Sequence, residues 1–397
     1  MEVKTTHQNG RVTLSLKGRL DTATAKDAMA AINQQLADCG NVTELVCDAS
    51  ELNYISSSGL RVLLTLMKRY KTFRMVEVQP NIYHVLDITG FIKMMPVEKA
   101  LRRLNIDRND LIGQGSVGTV YRIDDDTIIK VFREGTTLKE VRTEITMAKE
   151  AFVLGMPTAI SYDIVRVGNQ YGLVYELLQA DTLSACIRRD PKNIDNYAKV
   201  YASLFRQMHN IQVPQGTFIP DAQELEEQAV RHISRYFDAS DIDLLLRIVH
   251  SIPQSNRLLH CDLQTKNAMI QNEEPMLIDM GEVGYGHPMI DLGHSYSPMV
   301  ALIGDYEQII GLPQQLANDV WYRMIKYYFE GEPQEVIDHR IEQVEAVACV
   351  RNFSWLALSD SFPESLIRQC QEVFETRVTK RKDHLLRVCE TFDDWKL

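Results

Sequence analysis

The sequence lacks the features that would place a protein in a membrane or outside the cell. It starts with MEVKTTHQNG, which has neither the basic patch nor the apolar core of a secretory leader. No apolar run approaches the roughly 18 residues that a membrane-spanning helix needs. None of the seven cysteines forms a CxxC pair and their number is odd, which argues against a disulfide framework or a zinc knuckle. We therefore expect a cytoplasmic protein with no membrane association.

An excess of positive charge is also absent. The 43 Lys and Arg residues face 54 Asp and Glu residues, for a net charge of -11 at pH 7. Such a balance disfavours a role that depends on neutralising nucleic-acid phosphates. A chain of 397 residues with 45% hydrophobic content is long enough for two or three domains and is not wholly disordered.

The first hundred residues alternate strand and helix patterns. Residues 11–19 alternate apolar and polar side chains, which is typical of a half-buried strand. A helix follows, for which Asp21 is the expected N-cap. A strand, a helix and a strand are then predicted in VTELVCDAS, SSSGLRVLLTLMKRY and FRMVEVQ. This order predicts a layered α/β domain over residues 1–98.

A different pattern begins near Asn105. Residues 105–178 have strand patterns with one helix between them, whereas residues 179–397 are dominated by long helical patterns such as AKVYASLFRQMHNI. A strand-rich lobe followed by a helix-rich lobe predicts a bilobal α+β architecture.

A glycine motif lies near the start of the strand-rich lobe. LIGQGSVGTVYRI places Gly113, Gly115 and Gly118 in G-x-G-x-x-G spacing ahead of Val120. Glycines there let a strand-turn-strand approach a phosphate closely, although a plain hairpin turn explains them equally well. No Gly-Lys-Ser/Thr follows, so this is not a Walker loop. The following strands also disfavour a dinucleotide-binding fingerprint.

Lys130 lies in TIIKVF, on the second strand after the glycine motif. A lysine at this place pairs with the α- and β-phosphates of ATP in kinases, and it needs a carboxylate on the next helix. Glu144 is the preferred partner because it lies about three turns before the expected helix end at Gly155. Glu140 and Glu150 remain alternatives, and a solvated helix face is the simplest explanation for any one of them.

A third motif makes a resemblance specific. His260, Asp262 and Asn267 in HCDLQTKN match H-x-D-x-x-x-x-N, and Asp279 in LIDMG stands where protein kinases carry D-F-G. The glycine motif, the strand lysine and these residues follow one another in the order found in kinases. The second part of the chain therefore resembles the protein-kinase-like fold.

The resemblance implies a role for each matching residue. Asp262 corresponds to the catalytic base, Asn267 and Asp279 to ligands of Mg²⁺, and Lys130 to the clamp on the phosphates of ATP. Glu176, in VYELL, corresponds to the hinge between the lobes. The histidine of the third motif is expected to brace the loop after the second aspartate.

The branch of the fold follows from what surrounds these motifs. Cys261 and Gln264 stand where protein kinases usually carry Arg and Lys, there is no room for a long activation segment, and no A-P-E motif appears. The pattern is more similar to the aminoglycoside and choline phosphotransferase family, where a short loop leads to an aspartate such as Asp291. This implies a small-molecule hydroxyl as the acceptor, bound by the helical lobe.

The first domain carries a second resemblance. DASELNYISSSGLRVLL is similar to the loop and helix start of STAS domains, the family of anti-sigma factor antagonists, and GRLDTATA and VLDITGF extend the match over residues 1–98. In antagonists a serine at this helix N-terminus is phosphorylated, and Ser57 is the matching position. Ser56 and Ser58 remain alternatives, as does a purely capping role. The resemblance implies an anti-sigma-type protein partner.

Three functions are then open for a STAS α/β sandwich followed by a bilobal protein-kinase-like fold. The first is a phosphotransferase that uses ATP and Mg²⁺ on a small hydroxylated molecule, with the STAS domain as a regulatory or interaction module. The second is a signalling kinase that phosphorylates Ser57 of its own or a partner STAS domain. The third, an ATP-binding pseudokinase scaffold, is disfavoured by the retention of Lys130, Asp262, Asn267 and Asp279.

Overall fold

The computed structural model divides the chain into two compact units, an N-terminal unit, Met1–Leu104, and a C-terminal unit, Asn105–Leu397. No helix of the described residues is long and apolar enough to cross a membrane. The structure describes residues 1–107, 110–115, 117–271, 274–358 and 362–395.

The N-terminal unit has the predicted α/β layers. Its strands are β1 Glu2–Gln8, β2 Arg11–Leu20, β3 Glu44–Asp48, β4 Leu52–Ile55, β5 Arg74–Val78, β6 Val97–Lys99 and β7 Arg102–Arg103, and its helices are α1 Ala25–Ala37, α2 Ser57–Arg69 and α3 Pro80–Ile88. The sheet runs β1-β2-β3-β5-β6, with β4 also paired to β2. β1 is antiparallel to β2, while β2–β3, β3–β5 and β5–β6 are parallel.

One core holds this unit together. Alternate residues of β2, Leu14 and Leu16 among them, are buried against Ile32 of α1 and Leu63 of α2. The expected N-cap at Asp21 is wrong, because α1 begins at Ala25 with Thr24 before it. Asp21 instead closes a turn ahead of the helix, where its Oδ1 accepts hydrogen bonds from the backbone of the next residues at 3.2 and 3.3 Å.

The first part of the C-terminal unit is an antiparallel sheet with one long helix. The strands run in the order β11-β12-β10-β9-β8, so the glycine motif joins two neighbouring strands. Val120 of β9 lies directly opposite Lys130 of β10. The elements are β8 Leu111–Gln114, β9 Gly118–Arg122, β10 Thr127–Phe132, α4 Leu138–Val153, β11 Ser161–Val167 and β12 Gln170–Glu176.

The rest of the C-terminal unit is mainly helical. Its helices are α5 Leu183–Arg189, α6 Ile194–His209, α7 Ala222–His232, α8 Ala239–Ser251, α9 Pro288–Val300, α10 Tyr306–Ile309, α11 Gln314–Tyr328, α12 Gln334–Ser354, α13 Glu364–Arg377 and α14 Lys382–Cys389. Its short strands are β13 Asp181–Thr182, β14 Arg257–Leu259, β15 Ala268–Gln271, β16 Glu274–Leu277 and β17 Gly284–Gly286.

Helices α9 and α12 form the centre of this lobe. They pack closely enough that a Cβ atom on Gly293 would lie 2.8 Å from Cγ1 of Val347, so only glycine fits there without a shift. The HCDLQTKN segment connects β14 to β15 and rests on α9. Asp291 and His294 of α9 contact the backbone of this segment at His260 and Cys261.

Candidate active site

Lys130 lies between two carboxylates that come from distant parts of the chain. Its Nζ is 2.9 Å from Oε1 of Glu144 and 2.8 Å from Oδ1 of Asp279. Burial disfavours the charged ammonium, but the two carboxylates outweigh this effect and raise the pKa of Lys130. The site therefore holds a fixed positive charge near neutral pH.

The three glutamates of α4 have three different environments. Glu140 forms a capping box with Thr137, and Glu150 accepts a hydrogen bond from the backbone of Phe218 at 2.9 Å. Glu144 is buried on the inner face of α4, where the Tyr175 hydroxyl also donates to its Oε1 at 2.9 Å. The preferred glutamate is thus the one that the structure brings to the lysine.

Asp262 and Asn267 are joined within one loop. The Asn267 side-chain nitrogen donates to the Asp262 carbonyl oxygen at 2.8 Å and to its Oδ2 at 3.0 Å. Burial is the main reason that the pKa of Asp262 is raised; the negative charge of Glu282 adds to it and the positive charge of Arg351 opposes it. The ionised carboxylate is therefore a stronger base than an ordinary one, and its population grows as pH rises through this pKa.

Asp291 holds the backbone of this loop. It is fully buried at the first turn of α9, where its Oδ2 accepts from the His260 N–H at 3.1 Å and its Oδ1 from the Cys261 N–H at 2.8 Å. His209 of α6 lies 3.1 Å from the same Oδ2. Burial alone would raise the pKa of Asp291, but the His209 hydrogen bond and these contacts lower it below its ordinary value. The ionised carboxylate is therefore a fixed anchor for the loop.

The loop has an unusual backbone at Cys261. This buried residue has φ of +62°, in the left-handed region that favours glycine. This chain therefore carries a side chain at a backbone conformation that only glycine adopts without strain. Burial also raises the pKa of the thiol well above its ordinary value, which makes it unreactive.

His260 contacts the segment that leads to Asp279, whereas the predicted bracing was of the loop after that aspartate. Its Nε2 lies 3.1 Å from the carbonyl oxygen of Ile278. Asp279 itself has φ of +61° and precedes a 3₁₀ turn at Met280–Glu282. The turn directs its carboxylate back to β10.

The three predicted glycines differ in how much space surrounds them. A Cβ atom on Gly118 would lie 2.4 Å from the carbonyl oxygen of Val131, so a larger residue does not fit. Around Gly113 the corresponding space is open, and around Gly115 the nearest atom is 3.8 Å away. Strand pairing therefore explains Gly118, while the first two glycines leave room above the loop.

Glu176 ends β12, where the sheet meets the helical lobe. Its backbone N–H donates to the carbonyl oxygen of Ile160 at 2.9 Å, and its Oε2 accepts from the Ile160 N–H at 3.3 Å. The side chain thus fixes the neighbouring strand connection. A role of Glu176 in nucleotide binding stays a prediction.

The chemistry of two side chains fits a divalent cation. The amide nitrogen of Asn267 is engaged with Asp262, which leaves its Oδ1 as the atom for a ligand. Asp279 offers a second carboxylate oxygen beyond the one that faces Lys130. Mg²⁺ prefers oxygen ligands, usually one or two carboxylates together with substrate phosphates.

Arg351 and Glu282 were not predicted from the sequence to belong to the site. Arg351, in the last turn of α12, donates to Oε2 of Glu282 at 2.7 Å. On the other side, Nδ1 of His294 lies 2.8 Å from the Cys261 carbonyl oxygen, and its Nε2 lies 2.8 Å from Oε1 of the buried Glu226. These contacts join segments that are far apart in sequence, so no local motif predicts them.

In the N-terminal unit, the three serines ahead of α2 are not equivalent. The Ser56 hydroxyl oxygen caps the helix by accepting from the backbone of Ser58 and Gly59 at 3.2 and 3.5 Å. The Ser58 hydroxyl lies 3.2 Å from that of Thr22. Ser57 is the first residue of the helix and is exposed. Of the three, Ser57 is the most open to modification.

Both units match families of known proteins. A family model described as the STAS domain covers residues 2–104, and one described as the phosphotransferase enzyme family covers residues 111–318. The protein named "Putative anti-sigma factor antagonist BtrV" of Bordetella bronchiseptica is 32% identical over 93 residues, which are 22% of this chain and 78% of BtrV.

Solved structures of kinases are also similar. A choline/ethanolamine kinase family protein from Mesorhizobium loti is 15% identical, with a TM-score of 0.45 over 70% of this chain and 92% of that one. An ethanolamine kinase of Plasmodium vivax is 13% identical, with a TM-score of 0.48 over 80% of this chain and 93% of that one.

Proposed function

The chain belongs to the phosphotransferase enzyme family and carries a STAS domain, and we propose that it transfers the γ-phosphoryl group of Mg-ATP to a hydroxyl group of a small molecule. The single observation that carries this proposal is the convergence of Lys130, Glu144 and Asp279 within hydrogen-bond distance. A cation fixed by two carboxylates is suited to phosphates that approach it.

The chain's own residues divide the work of the transfer. Asp262 accepts the proton of the acceptor hydroxyl as its oxygen bonds to the γ-phosphorus and the bond to the ADP oxygen breaks. Asn267 fixes the orientation of Asp262 through its two hydrogen bonds. Lys130 neutralises the phosphates on the donor side. Asn267 and Asp279 would hold Mg²⁺, which when bound neutralises charge on the triphosphate.

The segment after Asp279 supports a small acceptor over a protein. In protein kinases a long activation segment follows this aspartate. Here Gly284–Gly286 pairs instead with Arg257–Leu259, the strand that leads into the catalytic loop, and α9 begins at Pro288. The short connection leaves no segment of its own for binding an extended polypeptide.

The test is a search for acceptor-dependent turnover. Purified protein with Mg-ATP is combined with hydroxylated amines, amino-sugars and amino alcohols, and ADP release is followed together with the mass of each small molecule. We expect ADP release that rises with one class of compound and a gain of one phosphate on that compound. ATP turnover that is the same with and without every compound would contradict the proposal.

A second candidate function is favoured by the position of Ser57. Phosphate at a helix N-terminus is stabilised by free N–H groups and the helix dipole, and its negative charge changes what the surface can bind. The likeness to BtrV supports an anti-sigma-type partner for the N-terminal unit. In this alternative the kinase unit phosphorylates Ser57 of its own or another chain.

Intact-mass spectrometry separates the two functions. The full chain is incubated with Mg-ATP beside the variants Asp262→Ala and Ser57→Ala. A gain of one phosphate that both variants abolish would establish the signalling function. An unchanged mass in all three proteins would leave the small-molecule acceptor as the substrate.

A further inference from the structure

A polar cavity of about 140 Å³ lies within the helical lobe, apart from the kinase-like motifs. It is lined by the end of α9, the second half of α12, the last residue of α13 and the turn that follows α13. None of its lining residues belongs to the motifs that surround Asp262. Its polar lining consists of Tyr296, Glu345, Asn352, Arg377 and Arg381, and Val300 is among its apolar lining residues.

The cavity has one positive charge more than it has negative. Arg381 forms a two-pronged ion pair with Glu345, with distances of 2.9 and 3.2 Å between paired atoms. Arg377 donates to the carbonyl oxygen of Ala301, at the end of α9. Among the residues that the structure describes, no carboxylate lies within ion-pair distance of Arg377. A half-buried guanidinium without a carboxylate is costly, and an anion beside it would offset that cost.

A buried amide adds a further polar group. Asn352 is 4% exposed, and its Oδ1 accepts a hydrogen bond from the Ser297 hydroxyl at 2.6 Å. With its oxygen engaged, the group that Asn352 can offer to a ligand is its NH₂, a donor. The donors at the cavity wall, the Asn352 amide and the Arg377 guanidinium, both favour an acceptor-rich ligand.

From these contacts we infer that the cavity is a binding site for a small oxyanion, either a phosphate group or a short dicarboxylate. The planar guanidinium fork matches both chemistries, because each presents two oxygens at the right spacing. A cavity of about 150 Å³ holds a molecule the size of benzene, so ligands of about five to eight heavy atoms fit. The bound anion neutralises Arg377 and fills the space between α9 and α12.

The site is coupled to the catalytic loop by the helices that form it. α9 also carries Asp291 and His294, which hold the backbone of Cys261, and α12 carries Arg351 next to Asn352. An anion that binds only the folded unit stabilises that unit by RT ln(1 + c/Kd), where c is the concentration of free anion. The cavity therefore lies on the two helices that also hold the catalytic loop, and it is distinct from the place of phosphoryl transfer.

Isothermal titration of the full chain tests the inference, with inorganic phosphate and succinate as separate probes. We expect one of the two to bind at a single site, and the preferred probe identifies the chemistry. Arg377→Gln is expected to weaken that binding by about tenfold or more, because it removes a charge-assisted hydrogen bond. Arg368→Gln, on the exposed surface of α13, is the matched control and should bind like the parent protein.

A second variant keeps the test valid if Arg377→Gln fails to fold. Val300→Phe fills the cavity and leaves every charge in place, and it is likewise expected to lose binding by about tenfold or more. Absence of binding by both probes would overturn the inference. So would binding that survives unchanged in folded Arg377→Gln or Val300→Phe protein, because the anion would then lie elsewhere, including beside Lys130.

Discussion

Arg351 and Glu282 meet at 2.7 Å and join the last turn of α12 to the turn that follows Asp279. The pair lies close enough to Asp262 for both charges to act on its pKa, in opposite directions. The C-terminal turn of α12 thereby contributes to the electrostatic environment of Asp262, the proposed catalytic base.

Removal of either charge should move the acid limb of the pH–activity profile. Transfer needs the ionised form of Asp262, so activity rises as pH increases through its pKa. Arg351→Met removes the opposing cation and should shift this limb to higher pH by about one unit, while Glu282→Gln should shift it to lower pH. The measurement is kcat/KM against pH for the three proteins. Shifts in the same direction for both variants would disprove the electrostatic interpretation.

Glu144→Gln should reduce kcat/KM by about 10²-fold. The amide oxygen accepts a weaker hydrogen bond from Lys130 and does not neutralise it, so the lysine is held less firmly where the phosphates bind. Glu140→Gln and Glu150→Gln on the same helix are matched controls. Glu140→Gln keeps the capping box, because the Gln side-chain oxygen can still accept from the Thr137 backbone N–H, and neither variant should change kcat/KM by more than a few-fold. Equal losses in all three variants would show that α4 stability, and not the Lys130 contact, governs activity.

Cys261→Gly should give a more stable protein than Cys261→Ala. Both variants remove the buried sulfur, but only glycine adopts φ of +62° without strain. For any other residue type at this position the strain costs roughly 1 kcal/mol. Urea unfolding of the two variants measures the difference in unfolding free energy. Glycine normally destabilises relative to alanine through the unfolded chain. The usual order, with alanine the more stable, would mean that the loop relaxes its backbone at this position.

His287 should make the C-terminal unit sensitive to mild acid. Its ring is buried, and burial, aided by the nearby His209, lowers the pKa of His287 to about 4. In the unfolded chain the imidazole of His287 takes up a proton near pH 6.5, whereas in the folded chain it stays neutral until the pH is much lower. The stability contributed by neutral His287 is therefore complete above pH 6.5 and is lost as pH falls towards 4.

His287→Asn isolates this effect. Asparagine retains an oxygen that can accept from the Met289 N–H at the start of α9, and it does not titrate. Between pH 7 and pH 5 we expect the variant to lose roughly 2 kcal/mol less unfolding free energy than the parent. His250→Asn, at an exposed position, should lose as much as the parent. An identical loss in all three proteins would assign the acid sensitivity to other groups.

The local motifs were predictable because their chemistry depends on short spacing. The glycine loop, the strand lysine and the H-x-D-x-x-x-x-N segment each lie within a few residues, and strand and turn geometry brings their groups together. The choice of Glu144 depended on helix length and position alone. It holds because Glu144 is on the buried face of α4, whereas Glu140 and Glu150 are engaged elsewhere.

The remaining residues of the site depend on tertiary packing. Arg351, His209 and Tyr175 lie in segments whose patterns suggest only ordinary helices or strands. Their roles come from contacts with residues many turns away, which no local spacing encodes. The wrong N-cap prediction at Asp21 has a local cause. An Asx turn and an N-cap use the same side-chain acceptor, so the sequence pattern does not distinguish them.

Acceptor-dependent ADP release by Asp262→Asn tests the central claim most directly. Asparagine keeps the size of the side chain but cannot accept the hydroxyl proton. With the compound that supports turnover by the parent protein, we predict a fall in kcat of about 10²-fold or more, while Mg-ADP binds with unchanged affinity. A variant that binds Mg-ADP and turns over at the parental rate would contradict the assignment of Asp262 as the base and, with it, this account of phosphoryl transfer.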